Sequence, residues 1–266
     1  MRVDASVADV TSRSPNAALM LGPDAALIEA AIALAIARES LVVIRTSPPV
    51  IVGGYNVLSA IHGSGDPWSV LYRTRAADLA WTPVYALPDE RIMDVVDRMR
   101  SAGRYDALVV EGGSNSIVGL LTTLDLMRFL HGVGALRGIE LRGSAAIAVD
   151  PDVSFSGVID TMIRRGLRRL ILSGTEFAIS DRSIMRGSLD GGLLLRLRDD
   201  PGGTLSDPVM RYSYVLERPA IIPDGADAQS AAELLLRTED RIAVSGDRGM
   251  IITPWDLSIR PLLDSR

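Results

Sequence analysis

The chain contains no cysteine. Disulfides and thiolate metal sites are therefore excluded. It has two histidines, His62 and His131, too few for a histidine cluster around a metal. All 28 basic residues are arginine. The absence of lysine removes a Walker-type phosphate lysine, a Schiff-base lysine and a kinase-type lysine together. No basic run or basic face offsets the formal net charge of −5, so neither nucleic acid nor an anionic membrane is expected as a partner. Residues 1–16 lack a basic segment followed by an apolar one, the signature of a signal peptide. The longest apolar stretch, Ala25–Ala37, is broken by Glu29 and falls short of the ~20 residues that span a bilayer. A soluble, cytoplasmic protein without a bound metal is expected. There is also no Gly-x-Ser-x-Gly elbow, no His-Glu-x-x-His and no P-loop. No nucleophile–base pair stands out, and the catalytic set is expected to be empty.

What is present is repetition. With 47% hydrophobic residues over 266 positions, the chain can bury a sizeable core, and its length suggests two units at ~100–200 residues each. A Pro-Asp pair recurs at Pro23-Asp24, Pro88-Asp89, Pro151-Asp152 and Pro223-Asp224, at intervals of 63 to 72 residues. Each pair follows a short apolar strand (AALML, VYAL, AIAV, AII) and precedes a helical pattern. In the second copy, Ile92, Val95, Val96 and Met99 fall at i, i+3, i+4 and i+7, with Asp89 as the expected N-cap and Gly103 as the terminator. The strand DALVVE, the hairpin turn GGSNS (112–116), the strand IVGLLT and the helix TLDLMRFLH complete it. The other copies keep this order, so the expected fold is α/β, four tandem βαββα repeats. Segments 63–67 and 189–207 read as glycine-rich or polar connections. The stretch Ala25–Ala37 is apolar nearly all round, which predicts a helix buried on more than one side, in the core or between repeats.

A second regularity sits where the last strand of a repeat meets its last helix. Repeat two has Gly119-Leu120-Leu121-Thr122-Thr123-Leu124-Asp125, and repeat four has Thr253-Pro254-Trp255-Asp256, with Pro254 expected in the first helical turn. Repeat three has Ser180 and Ser183 at the two positions, and repeat one has Gly53 and Asn56. A helix N-terminus offers free amides and a positive dipole to an anion. A hydroxyl adds a donor, and a carboxylate one turn on can accept the two hydroxyls of a ribose. Thr-x-x-Asp is equally an ordinary capping pattern.

This order of elements, with Thr-x-x-Asp at the last helix, resembles the CBS domain, the regulatory repeat named after cystathionine β-synthase, in four copies covering the chain. The resemblance implies pairing of repeats about pseudo-twofold axes into two Bateman modules, at 1–133 (repeats 1–66 and 67–133) and 134–266 (repeats 134–200 and 201–266). It implies adenine nucleotides (AMP, ADP or ATP) as regulatory ligands rather than cofactors, at repeats two and four. Ribose and phosphate would then contact Thr122, Asp125, Thr253, Asp256 and Arg169. The base would lie by Thr82, Pro83, Val84, Tyr105, Asp106 and Ala107 in repeat two. In repeat four it would lie by Arg218, Pro219, Ala220, Asp240 and Arg241. The basic pair Arg168-Arg169 implies more phosphate at the second module, while Ser40 at the matching place implies AMP or an uncharged adenosyl ligand at the first. Arg164, Arg165, Arg168 and Arg169 read equally well as a solvated face. An unidentified regulated protein and a homodimer complete the expected partners. The rival readings are a binder of S-adenosylmethionine or another adenosyl compound, a ligand-free scaffold, and an enzyme, against which the absence of any nucleophile–base or metal signature counts.

Overall fold

The computed structural model describes residues 4–11, 19–37, 41–112 and 116–264. Each repeat contains a leading strand, a middle helix, a central strand, a third strand and a closing helix. In repeat two these are Val84–Ala86, Ile92–Ser101, Asp106–Val110, Ile117–Thr122 and Thr123–Gly132. In repeat four they are Ala220–Ile222, Ala228–Arg237, Ala243–Ser245, Met250–Ile252 and Ile259–Asp264. Repeat one has Met20–Leu21, Leu27–Ala37, Leu41–Ile44, Val50–Gly53 and Gly54–Ile61. Repeat three has Ala148–Val149, Phe155–Arg165, Arg169–Leu172, Ala178–Ser180 and Asp181–Asp190. In every repeat the leading strand runs parallel to the central strand, and the central strand is antiparallel to the third. The middle helix makes the crossover that a parallel pair requires. Two sheets gain a fourth strand from a segment between repeats: Leu216–Glu217 on repeat three, and Ser144–Ala145 on repeat four.

The chain forms two compact units, and they group alternate repeats. One holds residues 1–18, 83–146 and 219–266, hence repeats two and four. The other holds residues 19–82 and 147–218, hence repeats one and three. The pairing of consecutive repeats at 133/134 rests on the resemblance alone. Each unit has its own core. In the unit of repeats one and three, the helix Leu27–Ala37 packs on the closing helix Asp181–Asp190. Its all-round apolarity is thus used between repeats: Leu27, Ala30, Ala31 and Leu34 are buried, and of its described large apolar side chains Ile36 is the exposed one. In the unit of repeats two and four, Val95, Val96 and Met99 join Leu126, Leu130, Ala232 and Leu235.

Three details differ from the sequence reading. The recurrent Pro-Asp pair is a turn rather than a helix cap, since Arg91 precedes the first helical residue in repeat two and Asp89 lies in the turn before it. True caps lie further on, at Ser154 and Asp227, which accept from the amides of Gly157 and Ser230. Segment 189–207 is not an open linker but two short helices, Leu193–Asp199 and Pro201–Ser206. Its Leu193, Leu194 and Leu197 are buried, so the leucines outweigh the glycines that suggested a loop. The 63–67 segment likewise ends in a helix, Pro67–Arg73, capped by Asp66 with proline at its first position. The GGSNS turn falls partly on residues 113–115, outside the described residues; Glu111 N donates to Ser116 O at 2.8 Å and closes that hairpin. Among the described residues no helix is long and apolar enough to cross a membrane.

The caps give a modest stability test. Ser154→Ala removes the side-chain acceptor for Gly157 N, and about 1 kcal/mol should be lost in urea titration with an unchanged slope.

Candidate functional site

Repeat two brings its expected ribose and base residues to one corner. Val84 pairs with Ala107 in the parallel ladder, so Pro83 and Asp106 stand where the two strands begin. Asp106 is in turn directly across from Thr122 in the antiparallel ladder, which places the central strand's start beside the closing helix's start. Pro83, Val84, Asp106 and Ala107 are buried, whereas Thr82 and Tyr105 are exposed. Thr82 ends the other compact unit.

At the helix start, Thr122 and Asp125 form a reciprocal capping box. Thr122 N and Oγ1 donate to Asp125 Oδ2 at 3.0 and 2.7 Å, and Asp125 N donates to Thr122 Oγ1 at 3.2 Å. That accounts for one carboxylate oxygen. Asp125 is 1% exposed, and its Oδ1 receives no hydrogen bond among the described residues. The guanidinium of Arg128, one turn on, stands 3.6 Å from that oxygen, beyond hydrogen-bond distance. A buried anionic acceptor left without a donor costs more than an ordinary hydrogen bond contributes. Capping therefore explains half of Asp125 and leaves an acceptor directed at something else.

Repeat four repeats the motif with a different outcome. Thr253 N and Oγ1 donate to Asp256 Oδ2 at 3.0 and 2.9 Å. No helix starts there, however. Residues 254–258 are turns and the closing helix begins at Ile259, so Pro254 lies in a turn instead of a first helical turn. The second oxygen, Oδ1, accepts from Ser144 Oγ at 3.1 Å and lies 3.4 Å from Arg260 Nη2. Burial raises the carboxyl of Asp256 above the usual aspartate range, opposed by its bonds from Thr253, the charge of Arg260 and the hydroxyl of Ser144. A raised folded-state value means that the ionised form is the disfavoured one in the fold. Its contribution is unfavourable above that value and is relieved as pH falls toward the unfolded value near 3.8. Wild-type stability should therefore gain a contribution as pH falls from the raised value toward 3.8, and Asp256→Asn should lack that pH dependence, as measured by denaturant titration across pH.

The base set of repeat four is also less regular. Ala220 N donates to Ile242 O at 3.1 Å, but the central strand starts only at Ala243. Asp240 and Arg241 precede it, and Arg241 takes φ 52°. The Arg241 guanidinium donates to the carbonyl oxygens of Leu235, at 2.8 Å, and Leu236, so it caps the middle helix. Pro219 is buried. Arg218 belongs to the other unit, where its guanidinium pairs with Glu176 at 2.9 Å and lies 5.2 Å from the Phe177 ring centroid. Tyr105 and Trp255 bring the two repeats together edge to face, ring centroids 4.9 Å apart. Trp255, Arg100, Arg260 and Leu263 line a cavity of about 320 Å³.

In the unit of repeats one and three, both motif positions are satisfied by protein. Asn56 Oδ1 accepts from Gly53 N at 2.9 Å, and its amide donates to Leu79 O at 2.7 Å. In repeat three Ser180 N donates to Ser183 Oγ and Ser183 N to Ser180 Oγ, both at 2.9 Å. Ser180 Oγ then donates to the buried Glu217 at 2.7 Å. Arg168 is held by the buried Asp181 at 2.8 Å, and Arg164 pairs with Asp160 at 2.8 Å. Arg169 is half-buried in the central strand opposite Ser180 and makes no ion pair among the described residues. Ser40 lies outside them. His62 caps a helix and meets Asp160 at 3.0 Å. Ser144, Arg260 and Glu217 escaped the sequence reading. Arg260, four residues after Asp256, carried a legible helical spacing; Ser144 and Glu217 act over long separations and carried none.

Residues 76–132, which include repeat two, match the model of the CBS domain family. A protein of Methanocaldococcus jannaschii, described as a proposed archaeal homolog of γ-AMPK, superposes with a TM-score of 0.74 at 14% identity, covering 98% of this chain and 100% of that one. A Pyrobaculum aerophilum CBS domain protein solved in complex with AMP gives 0.39 at 22% identity, covering 46% and 90%. A CBS-domain-containing protein of Thermotoga maritima gives 0.42 at 19% identity, covering 48% and 96%. No curated protein matches this sequence.

Proposed function

We propose that this protein is a non-catalytic regulatory sensor that binds an adenine nucleotide (AMP, ADP or ATP) at repeat two. The observation that carries the reading is Asp125: a buried carboxylate with one oxygen used by the cap and the other without a donor. The hydroxyls of a ribose are donors of the right kind, and the free amides of the helix Thr123–Gly132 lie beside them for a phosphate. The start of the paired strands at Pro83, Val84 and Asp106 supports the base there. Binding would act on a partner protein by favouring one arrangement of repeats, to the extent that the ligand prefers it. A cytoplasmic location, a homodimer and the 133/134 division into modules belong to this proposal.

The saturated motif residues Asn56, Ser180 and Ser183 favour a second reading, a purely structural array. A thermal-shift screen with AMP, ADP, ATP, GTP and S-adenosylmethionine separates the two. A ligand at about 100-fold its Kd should stabilise by about 2.7 kcal/mol, read as a rise in Tm with one adenine compound. A rise with S-adenosylmethionine alone would move the reading to adenosyl ligands. Unchanged Tm with every compound, on nucleotide-free folded protein, would leave the structural array.

A further inference from the structure

The Thr-x-x-Asp motif occurs twice in the unit of repeats two and four, and the two copies are not equivalent. The difference comes from the segment that enters repeat three. Its strand Ser144–Ala145 lies antiparallel on the third strand of repeat four, with Ser144 opposite Ile251 and Ala145 opposite Met250. Gly143 makes the approach possible: a Cβ there would fall 2.3 Å from Ile252 Cδ1 and 2.5 Å from Ile251 O. With the backbone this close, Ser144 Oγ reaches Asp256 Oδ1. Arg260 then ties the segment down, donating to Gly143 O at 2.7 Å while its other nitrogen stands 3.4 Å from the same carboxylate oxygen. Ser144 thus supplies to Asp256 the hydroxyl donor that a ligand would otherwise supply, and Arg260 holds Ser144 and Gly143 in place beside it. At Asp125 the corresponding oxygen has a guanidinium nearby, Arg128 at 3.6 Å, but no hydroxyl or other hydrogen-bond donor among the described residues.

We infer that repeat four is a self-occupied copy of the site, closed by the chain's own Ser144 hydroxyl and Arg260 guanidinium, and that the protein binds one nucleotide per chain, at repeat two. This rests on the proposed nucleotide site and adds its stoichiometry and the residues that set it. A ligand entering repeat four must break the bond from Ser144 and displace a glycine-fitted strand. A ligand at repeat two gains a hydrogen bond to Asp125 Oδ1, an oxygen that accepts none in the fold. The motif at repeat four accordingly works as an intramolecular latch that holds the incoming segment of repeat three.

Isothermal titration of AMP into the nucleotide-free full chain tests this. One AMP per chain in wild type, falling to none in Asp125→Asn while the melt stays cooperative, is expected. Asparagine keeps the size and the capping oxygen, so the variant should fold. Two AMP per chain in wild type, or one retained by Asp125→Asn, would overturn the inference and leave nucleotide sensing standing. No AMP bound by wild type, with the other adenine compounds equally silent, would remove the sensor reading itself and this inference with it.

Discussion

Replacing Asp125 with alanine should weaken adenine-nucleotide binding by at least about 100-fold while costing little stability. The two effects separate because the two oxygens of this carboxylate do different things. Oδ2 caps the helix with Thr122, and loss of a cap costs about 1 kcal/mol. Oδ1 is buried with no hydrogen-bond donor and only the Arg128 guanidinium at 3.6 Å, so its removal adds little to that loss. Hydrogen bonds to a charged acceptor contribute roughly 1.5–3 kcal/mol each, so two ribose hydroxyls account for a loss of at least two orders of magnitude. The ligand supplies the control. In wild type, 2′-deoxy and 3′-deoxy AMP should each bind at least about 10-fold more weakly than AMP. In Asp125→Ala both penalties should vanish, because the group that senses the hydroxyls is gone. Equal deoxy penalties in wild type and variant would show that Asp125 is only a cap.

The largest stability effect is expected at Phe155. It begins the middle helix of repeat three, is fully buried, and meets Tyr212 edge to face with centroids 5.6 Å apart. Tyr212 is in turn anchored by its hydroxyl, which donates to Thr204 O at 3.2 Å and Asp207 Oδ2 at 3.0 Å. Phe155 N donates to Asp207 O at 2.9 Å. One ring thus holds the helix start and the folded 193–206 segment together. Phe155→Ala should cost about 3–5 kcal/mol, the range for emptying a large aromatic site in a core. Its Tm should fall by roughly 10 °C or more. Phe155→Leu, which keeps most of the apolar volume, should recover much of it. A loss under 1 kcal/mol for alanine would mean that the site collapses around the gap or is poorly packed. The Tyr212 phenol, raised by burial and by the Asp207 carboxylate, offers an optical readout, since its ionisation should move toward the ordinary value near 10 if the variant lets water in.

Much of this fold was legible one residue at a time. Helix and strand periods in repeat two placed Ile92, Val95, Val96 and Met99 on a buried face, and all four are buried. The absence of cysteine and lysine removed whole chemistries before any folding was considered. The recurring motif singled out Thr122–Asp125 and Thr253–Asp256, and its Thr-x-x-Asp spacing was legible as a capping pattern; in both pairs the threonine hydroxyl donates to the aspartate. These are local properties: a period of two or of 3.6 residues and a cap three residues long need no knowledge of distant chain. Short-range reading failed where tertiary partners overrode it. Segment 189–207 folds because Leu193, Leu194 and Leu197 find a core, and Arg241 turns back to cap a helix. Above all, the sequence by itself determined that two carboxylates would sit at equivalent places, but only the tertiary structure decided that they differ. Asp256 is satisfied by a serine 112 residues away, and Asp125 is not satisfied at its Oδ1. Whether a buried charge has a donor depends on which segment the fold lays beside it, and no local pattern carries that information.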